Sequence, residues 1–128
     1  MRVLLDTCTF LWITQESAEI SLEAERAFRD AGNEIFLSVV SAWEIAVKYA
    51  AGRLILKRPP SEFIPSARTA YGIQSLPLME EEALQAGFLP HIHGDPFDRM
   101  LVSQAITHNL TILTPDPMIT QYPVQTLW

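Results

Sequence analysis

Four acidic residues spread along the chain, Asp6, Glu44, Asp98 and Asp116, are the ones whose chemistry needs explaining. Asp6 follows the aliphatic run Val3-Leu4-Leu5 directly, and an anionic side chain there asks for a partner. Glu44 and Asp98 each fall in the first turn of a predicted helix, and Asp116 comes straight after a predicted strand. In a parallel α/β sheet the carboxyl ends of strands and the start of the following helices share one edge, where ligands bind. Asp6, Glu44 and Asp116 meet that rule by position, and Asp98 does so if its helix begins on the same side. Four carboxylates gathered there repel one another unless a cation sits among them. All-oxygen ligands without a cysteine set suit Mg²⁺, with Mn²⁺ as a substitute, rather than Zn²⁺. Such an ion can activate a water toward phosphorus, so phosphodiester hydrolysis is the simplest chemistry. Thr7 and Thr114 adjoin the site and can orient a carboxylate or a water, and Arg99 can pair with a carboxylate or meet a phosphate.

Each acid also has an ordinary structural reading. Ser41-x-x-Glu44 matches a capping box. Asp95-Pro96 reads as an N-cap followed by proline at the first helical position, with Asp98 complementing the helix dipole. Asp116 lies between two prolines, where turn chemistry suffices. His91 and His93 flank Ile92 in a loop; such a pair can bind metal, but solvated or structural side chains are the plainer reading. Cys8 reads as a packing residue, and Trp12, Trp43 and Trp128 as core or interface residues. Lys48, Arg53, Lys57 and Arg58 fall in a stretch without acids, Ile45 to Ser61, and are the candidate RNA-binding residues; solvated helix charge is the plainer reading for Lys48 and Arg53.

The elements that must position these residues follow from periodicity. Aliphatic runs of parallel-sheet type occur at Val3–Leu5 and Glu34–Val40, with shorter candidates at Ile73–Leu78, Thr111–Leu113 and Val124–Trp128. Between them lie helical segments at Thr7–Ile13, Leu22–Ala31 capped by Ser21, Ser41–Ala51, Ser61–Tyr71, Glu80–Ala86 and Asp95–His108. Gly32 suits the left-handed position after its helix, and Gly52 closes the helix that follows the Glu34–Val40 run. Thr114 to Asp116 reads as a turn. Strand and helix alternate, which predicts an α/β/α sandwich with a mostly parallel central sheet and right-handed crossovers.

A chain of 128 residues, 48% hydrophobic, fits one domain spanning residues 1–128. No apolar run reaches the ~18 residues of a membrane helix, and the N-terminus lacks the pattern of a signal peptide, so a cytoplasmic, non-membrane protein is expected. One cysteine excludes an intrachain disulfide framework. The net charge of −6 argues against non-specific nucleic-acid binding by the whole surface, though a cation-binding acidic cluster would account for much of it.

Taken in order, Leu4-Leu5-Asp6-Thr7, Ser41-Ala42-Trp43-Glu44-Ile45, His93-Gly94-Asp95-Pro96-Phe97-Asp98-Arg99 and Leu113-Thr114-Pro115-Asp116 span nearly the whole chain. In these pieces the sequence resembles the PIN-domain family, and within it the VapC toxins of bacterial toxin–antitoxin pairs. Asp95-Pro96-Phe97-Asp98-Arg99 is the most specific piece. Cys8 departs from the polar residue expected after the opening Asp-Thr. The resemblance implies a Mg²⁺- or Mn²⁺-dependent endoribonuclease in which Asp6, Glu44, Asp98 and Asp116 form the acidic cluster. It also implies a homodimer and a small VapB-like antitoxin that inserts a segment near the site. Two rivals remain. A phosphoacceptor signalling domain also places Asp residues at strand ends, but it needs a Lys near the last strand, and no Lys follows Lys57. A PIN nuclease serving RNA maturation without a toxin role is the other.

Overall fold

The computed structural model describes residues 1–128. In chain order the elements are β1 (Arg2–Leu5), α1 (Thr7–Thr14), α2 (Leu22–Arg29), β2 (Glu34–Ser38), α3 (Val39–Ala50) and α4 (Pro60–Tyr71). They continue as β3 (Gln74–Leu76), α5 (Glu80–Ala86), α6 (Pro96–His108), β4 (Thr111–Leu113), α7 (Pro117–Thr120) and β5 (Thr126–Leu127). The strands form one sheet in the order β3-β2-β1-β4-β5, and every neighbouring pair is parallel.

The central strand explains the layering. Along β1 the side chains alternate between two separate cores. Val3 and Leu5 join Phe10 of α1, Ala24 and Ala27 of α2, Ile45 of α3 and Ile64 of α4 on one face. Leu4 joins Leu101, Val102 and Ala105 of α6 and Ile119 of α7 on the other. Leu4 lies opposite Phe36 in β2 and Ile112 in β4, so the second core runs continuously across the sheet. Val3, Leu4 and Leu5 are completely buried, and burial of this kind contributes ~1.5–3 kcal/mol per large aliphatic side chain. The result is the expected α/β/α sandwich, and its sheet is wholly parallel. No helix is long and apolar enough to cross a membrane.

Strands β1, β2 and β3 step outward in one direction, and the chain then returns to lay β4 on the other side of β1. That reversal opens a crevice between the carboxyl ends of β1 and β4, the switch point of an open α/β sheet.

Three local expectations are corrected. Helix α3 begins at Val39, capped by Ser38, whose hydroxyl accepts from Val40 N at 3.0 Å. Ser38 also donates to Gln104 Oε1 of α6 at 2.6 Å, a buried contact that ends β2 before the β-branched pair Val39-Val40 can extend it. The Ser41 capping box therefore does not form, and Glu44 lies in the second turn of α3, not the first. Helix α2 stops at Arg29, and Gly32 is not left-handed; the Asp30 carboxylate accepts from Gly32 N at 2.8 Å and closes the turn. The segment after β4 is more than a turn, because Asp116 caps the four-residue helix α7.

Candidate active site

Asp6 is the first residue past β1 and the N-cap of α1. One carboxylate oxygen accepts from Thr9 N at 2.7 Å, and the other accepts from the Thr114 hydroxyl. Thr9 in turn donates its hydroxyl to Leu113 O at 2.8 Å, so α1 is stitched to β4 across the switch point. Asp6 is only 5% exposed. Burial pushes its carboxyl above the ordinary range; the bonds from Thr114 and Thr9 oppose the rise, and the charge of Asp116 adds to it.

Glu44 reaches the same edge from α3 and is equally buried. Its Oε1 accepts from Thr7 Oγ1 at 2.7 Å, and its Oε2 accepts from Lys48 Nζ at 2.5 Å. Thr7 Oγ1 also lies 2.9 Å from Ser41 Oγ. The Ser41 hydroxyl thus supports the threonine that holds Glu44, in place of the capping role expected of it. Lys48 stands one turn after Glu44, the spacing that lets an ion pair close on a helix surface.

Asp98 sits in the first turn of α6. Asp95 caps that helix, accepting from Phe97 N at 2.9 Å and Asp98 N at 3.2 Å, as its Asp-Pro sequence predicts. Asp98 Oδ2 lies 3.0 Å from His93 Nε2. Its carboxyl is pushed up to about 6, first by burial and then by the charges of Asp95, Asp116 and Glu44, against the hydrogen bond with His93. Asp116 caps α7 by accepting from Met118 N at 2.9 Å, and its own N donates to Thr114 Oγ1 at 3.1 Å. Thr114 therefore bridges Asp6 and Asp116 across the crevice.

The four acids do share one edge and feel one another's charge: Asp116 acts on Asp6, and both Asp116 and Glu44 act on Asp98. They stand along the carboxyl edge of the sheet and do not form a closed cage. No group of three or more His, Cys, Asp or Glu side chains is spaced to hold a metal ion. Each acid is instead engaged with a protein donor.

Other candidates fall elsewhere. Arg99 pairs with no carboxylate. Its guanidinium donates to the carbonyl oxygens of Pro90, Ala86 and Leu89 at 2.9 to 3.1 Å and so clamps the loop between α5 and α6. Among the four basic candidates only Lys48 touches an acid. Arg53 is exposed beyond α3, while Lys57 and Arg58 line a groove with Thr14 and Gln15, at the end of α1 away from Asp6. Cys8 is exposed rather than packed. Partial desolvation, with the charges of Asp6 and Glu44, pushes its thiol up to about 11, which leaves it inert as a nucleophile. Trp43, half exposed, stands edge-on to Phe97 at 5.0 Å and joins α3 to the start of α6.

Two contacts at the site were not anticipated. Thr9 carried no sequence signal beyond its nearness to Asp6. The sequence allows a structural role for His93 without naming its partners, and the two ring nitrogens bind Asp98 and Tyr122.

Residues 3–124 match the family model described as PIN domain. The chain is 28% identical over 115 residues to Ribonuclease VapC22 of Mycobacterium tuberculosis, covering 89% of this chain and 86% of that protein. It is 33% identical over 60 residues to Ribonuclease VapC16 of the same organism, covering 47% of this chain and 43% of that protein. Among solved structures, VapBC2 from Rickettsia felis, bound to a DNA fragment from their promoter, superposes with a TM-score of 0.69 at 17% identity, covering 99% of this chain and 98% of that one. The DNA-bound VapBC from Salmonella typhimurium gives 0.67 at 17% identity, covering 99% and 97%. The family match across nearly the whole sequence, with a five-stranded parallel sheet carrying acids at its switch point, makes this chain a member of the PIN-domain family.

Proposed function

We propose that the chain is the toxin of a toxin–antitoxin pair, an endoribonuclease that hydrolyses RNA phosphodiester bonds with the help of Mg²⁺ or, in its place, Mn²⁺. The observation that carries this reading is the acidic edge. Asp6, which is buried, and Asp98, which is largely covered, come from different elements, and both carboxyls lie above the ordinary range, first through burial and then through the charges of neighbouring acids. A hard cation among these carboxylates would relieve their mutual repulsion. The resemblance to VapC ribonucleases and the likeness to VapBC structures support the same reading.

Asp6, Glu44, Asp98 and Asp116 are the residues that would hold the ion: their oxygen donors suit it in kind, and closing on it would require the side chains to turn from their present protein partners. When bound, a divalent ion supplies Lewis-acid polarisation of the phosphate and a water of lowered pKa. The rest falls to this chain's own side chains. Thr7 and Thr114 fix the rotamers of Glu44 and Asp6 by donating to them. Lys48, now neutralising Glu44, is the cation within reach of an RNA phosphate entering the crevice. Its flexible stem lets it exchange one anion for another. Arg53, Lys57 and Arg58 guide RNA from a distance.

The same reading makes residues 1–128 a single PIN domain working in the cytoplasm as a homodimer, held in check by a small VapB-like antitoxin. The phosphoacceptor alternative finds no lysine at Asp6; the one nearby, Lys48, is bound to Glu44. Asp6→Asn is the direct test. Asparagine caps a helix as well as aspartate does, so the fold should persist, while cleavage of RNA in Mg²⁺ should fall by about 100-fold or more. Undiminished cleavage by that variant would remove the assignment. Growth arrest on expression, relieved by co-expressing a short neighbouring gene, separates a toxin from a PIN nuclease of RNA maturation.

A further inference from the structure

Arg99, Tyr122, His93 and Asp98 form a chain of hydrogen bonds whose direction can be worked out. Arg99 Nη1 lies 3.1 Å from the Tyr122 hydroxyl oxygen. A guanidinium only donates, so that oxygen must accept. The Tyr122 O–H is then free to donate, and the nearest acceptor is His93 Nδ1 at 2.8 Å, with His93 O farther off at 3.5 Å. A neutral imidazole that accepts at Nδ1 carries its proton on Nε2. Nε2 faces Asp98 Oδ2 at 3.0 Å, where a donor is what the carboxylate needs. Every link thus points from the arginine toward the acid.

The anchor of this chain is firm. Beyond Tyr122, the Arg99 guanidinium is tied to the backbone carbonyls of Ala86, Leu89 and Pro90 and lies 3.5 Å from that of His93 itself. It therefore holds both the ring that donates to His93 and the loop that carries His93. The His93 and Asp98 side chains are only 14% and 18% exposed, so water competes weakly for the bond between them. Tyr122 is 3% exposed, and its ring lies 5.5 Å from that of His93, at an angle of 59°.

We propose that His93 is a positioning residue for Asp98: Tyr122 and Arg99 set its tautomer, and its Nε2–H fixes the orientation of the Asp98 carboxylate at the acidic edge. The proposal rests on the reading of Asp98 as part of the cation-binding site. In that site His93 does not touch the substrate or the ion; it holds one of the groups that do. Outer partners of this kind alter metal affinity or activity by 10–100-fold when removed.

The test combines three readouts on the full chain. Imidazole ¹⁵N NMR, on protein free of metal and RNA, reports the tautomer: Nε2–H is expected, and Nδ1–H overturns the proposal. Titration with Mn²⁺ followed by electron paramagnetic resonance should show His93→Ala binding the ion 10-fold or more weakly. His93→Gln, whose amide can place an N–H near the lost Nε2, should stay within about 3-fold of the parent, and Tyr122→Phe should lie between. RNA cleavage should split the same way, with kcat falling in His93→Ala and KM nearly constant. Parent-like Mn²⁺ binding and kcat in His93→Ala overturn the proposal even if Asp98→Asn is inactive. If Asp98→Asn itself cleaves at the parent rate, the reading of the site fails and the proposal falls with it. If His93→Ala does not fold, the glutamine variant decides, and a loss there equal to that of Asp98→Asn counts against a positioning role.

Discussion

Without divalent ions, replacing Asp98 by asparagine should stabilise the protein at neutral pH. The Asp98 carboxyl is raised from an ordinary 3.8 to about 6 by burial and by the charges of Asp95, Asp116 and Glu44. A folded-state pKa above the unfolded value means that the native state holds the proton more tightly. The ionised carboxylate then costs stability; the cost appears as pH rises from about 3.8 to about 6 and stays constant above that. At ~1.4 kcal/mol per pH unit the full cost is about 3 kcal/mol. Solvent screening discounts it little, since the side chain is 18% exposed. Asparagine keeps an oxygen for His93 Nε2–H but loses the favourable charge at the start of α6, ~0.3–1 kcal/mol. A net gain of about 2 kcal/mol remains. Urea unfolding in EDTA at pH 7.5 should show the midpoint rising by about 1 M at unchanged slope. At pH 4.5 the gain should shrink to under ~1 kcal/mol. RNA cleavage should be lost in the same variant, a stability gain set against function. A variant no more stable than the parent at pH 7.5, or equally stabilised at both pH values, would refute the reasoning.

Saturating Mg²⁺ should stabilise the parent by about 3 kcal/mol at 100 times its dissociation constant and leave Asp98→Asn nearly unmoved, as thermal unfolding will reveal. Lys48→Met should destabilise the fold by ~1–2 kcal/mol, because Glu44 is left buried with one partner fewer, and the pair's exposed lysine end limits the loss. Adding Glu44→Gln should recover most of it in urea titrations. Arg99→Lys should free the loop between α5 and α6, seen as faster amide exchange at residues 87–93 than in the parent, because one ammonium cannot serve three carbonyls and a tyrosine at once. Neutralising Arg53, Lys57 and Arg58 together should weaken RNA binding and flatten its salt dependence. An unchanged slope would show that RNA does not cross that face.

Where local signals and tertiary packing agree, the sequence reading and the structure coincide. Asp95-Pro96 opens α6, and Asn109, at φ 54°, ends it in the left-handed conformation that stops helices. The parallel sheet follows from aliphatic runs interleaved with amphipathic helices. The reading fails where a distant contact decides. Nothing near Ser38 announces that Gln104, 66 residues on, would hold its hydroxyl and that α3 would start two residues before Ser41. His93 and Tyr122 are 29 residues apart, so their bond has no local trace. The acidic edge could be inferred because strand ends and helix starts lie on one side of a parallel sheet. The engagement of each acid by a protein donor could not be, because it depends on rotamers.

The placement of β1 has a consequence for folding. Strand β1 is the middle of the sheet, and one of its two partners, β4, lies more than a hundred residues further along the chain. Until β4 docks, Thr114 cannot reach Asp6, and Asp116 has no crevice to line. A chain in which β4 has not docked therefore carries Asp6, Glu44 and Asp98 without Thr114 and Asp116 beside them. The edge is completed only when that distant strand joins the sheet beside β1.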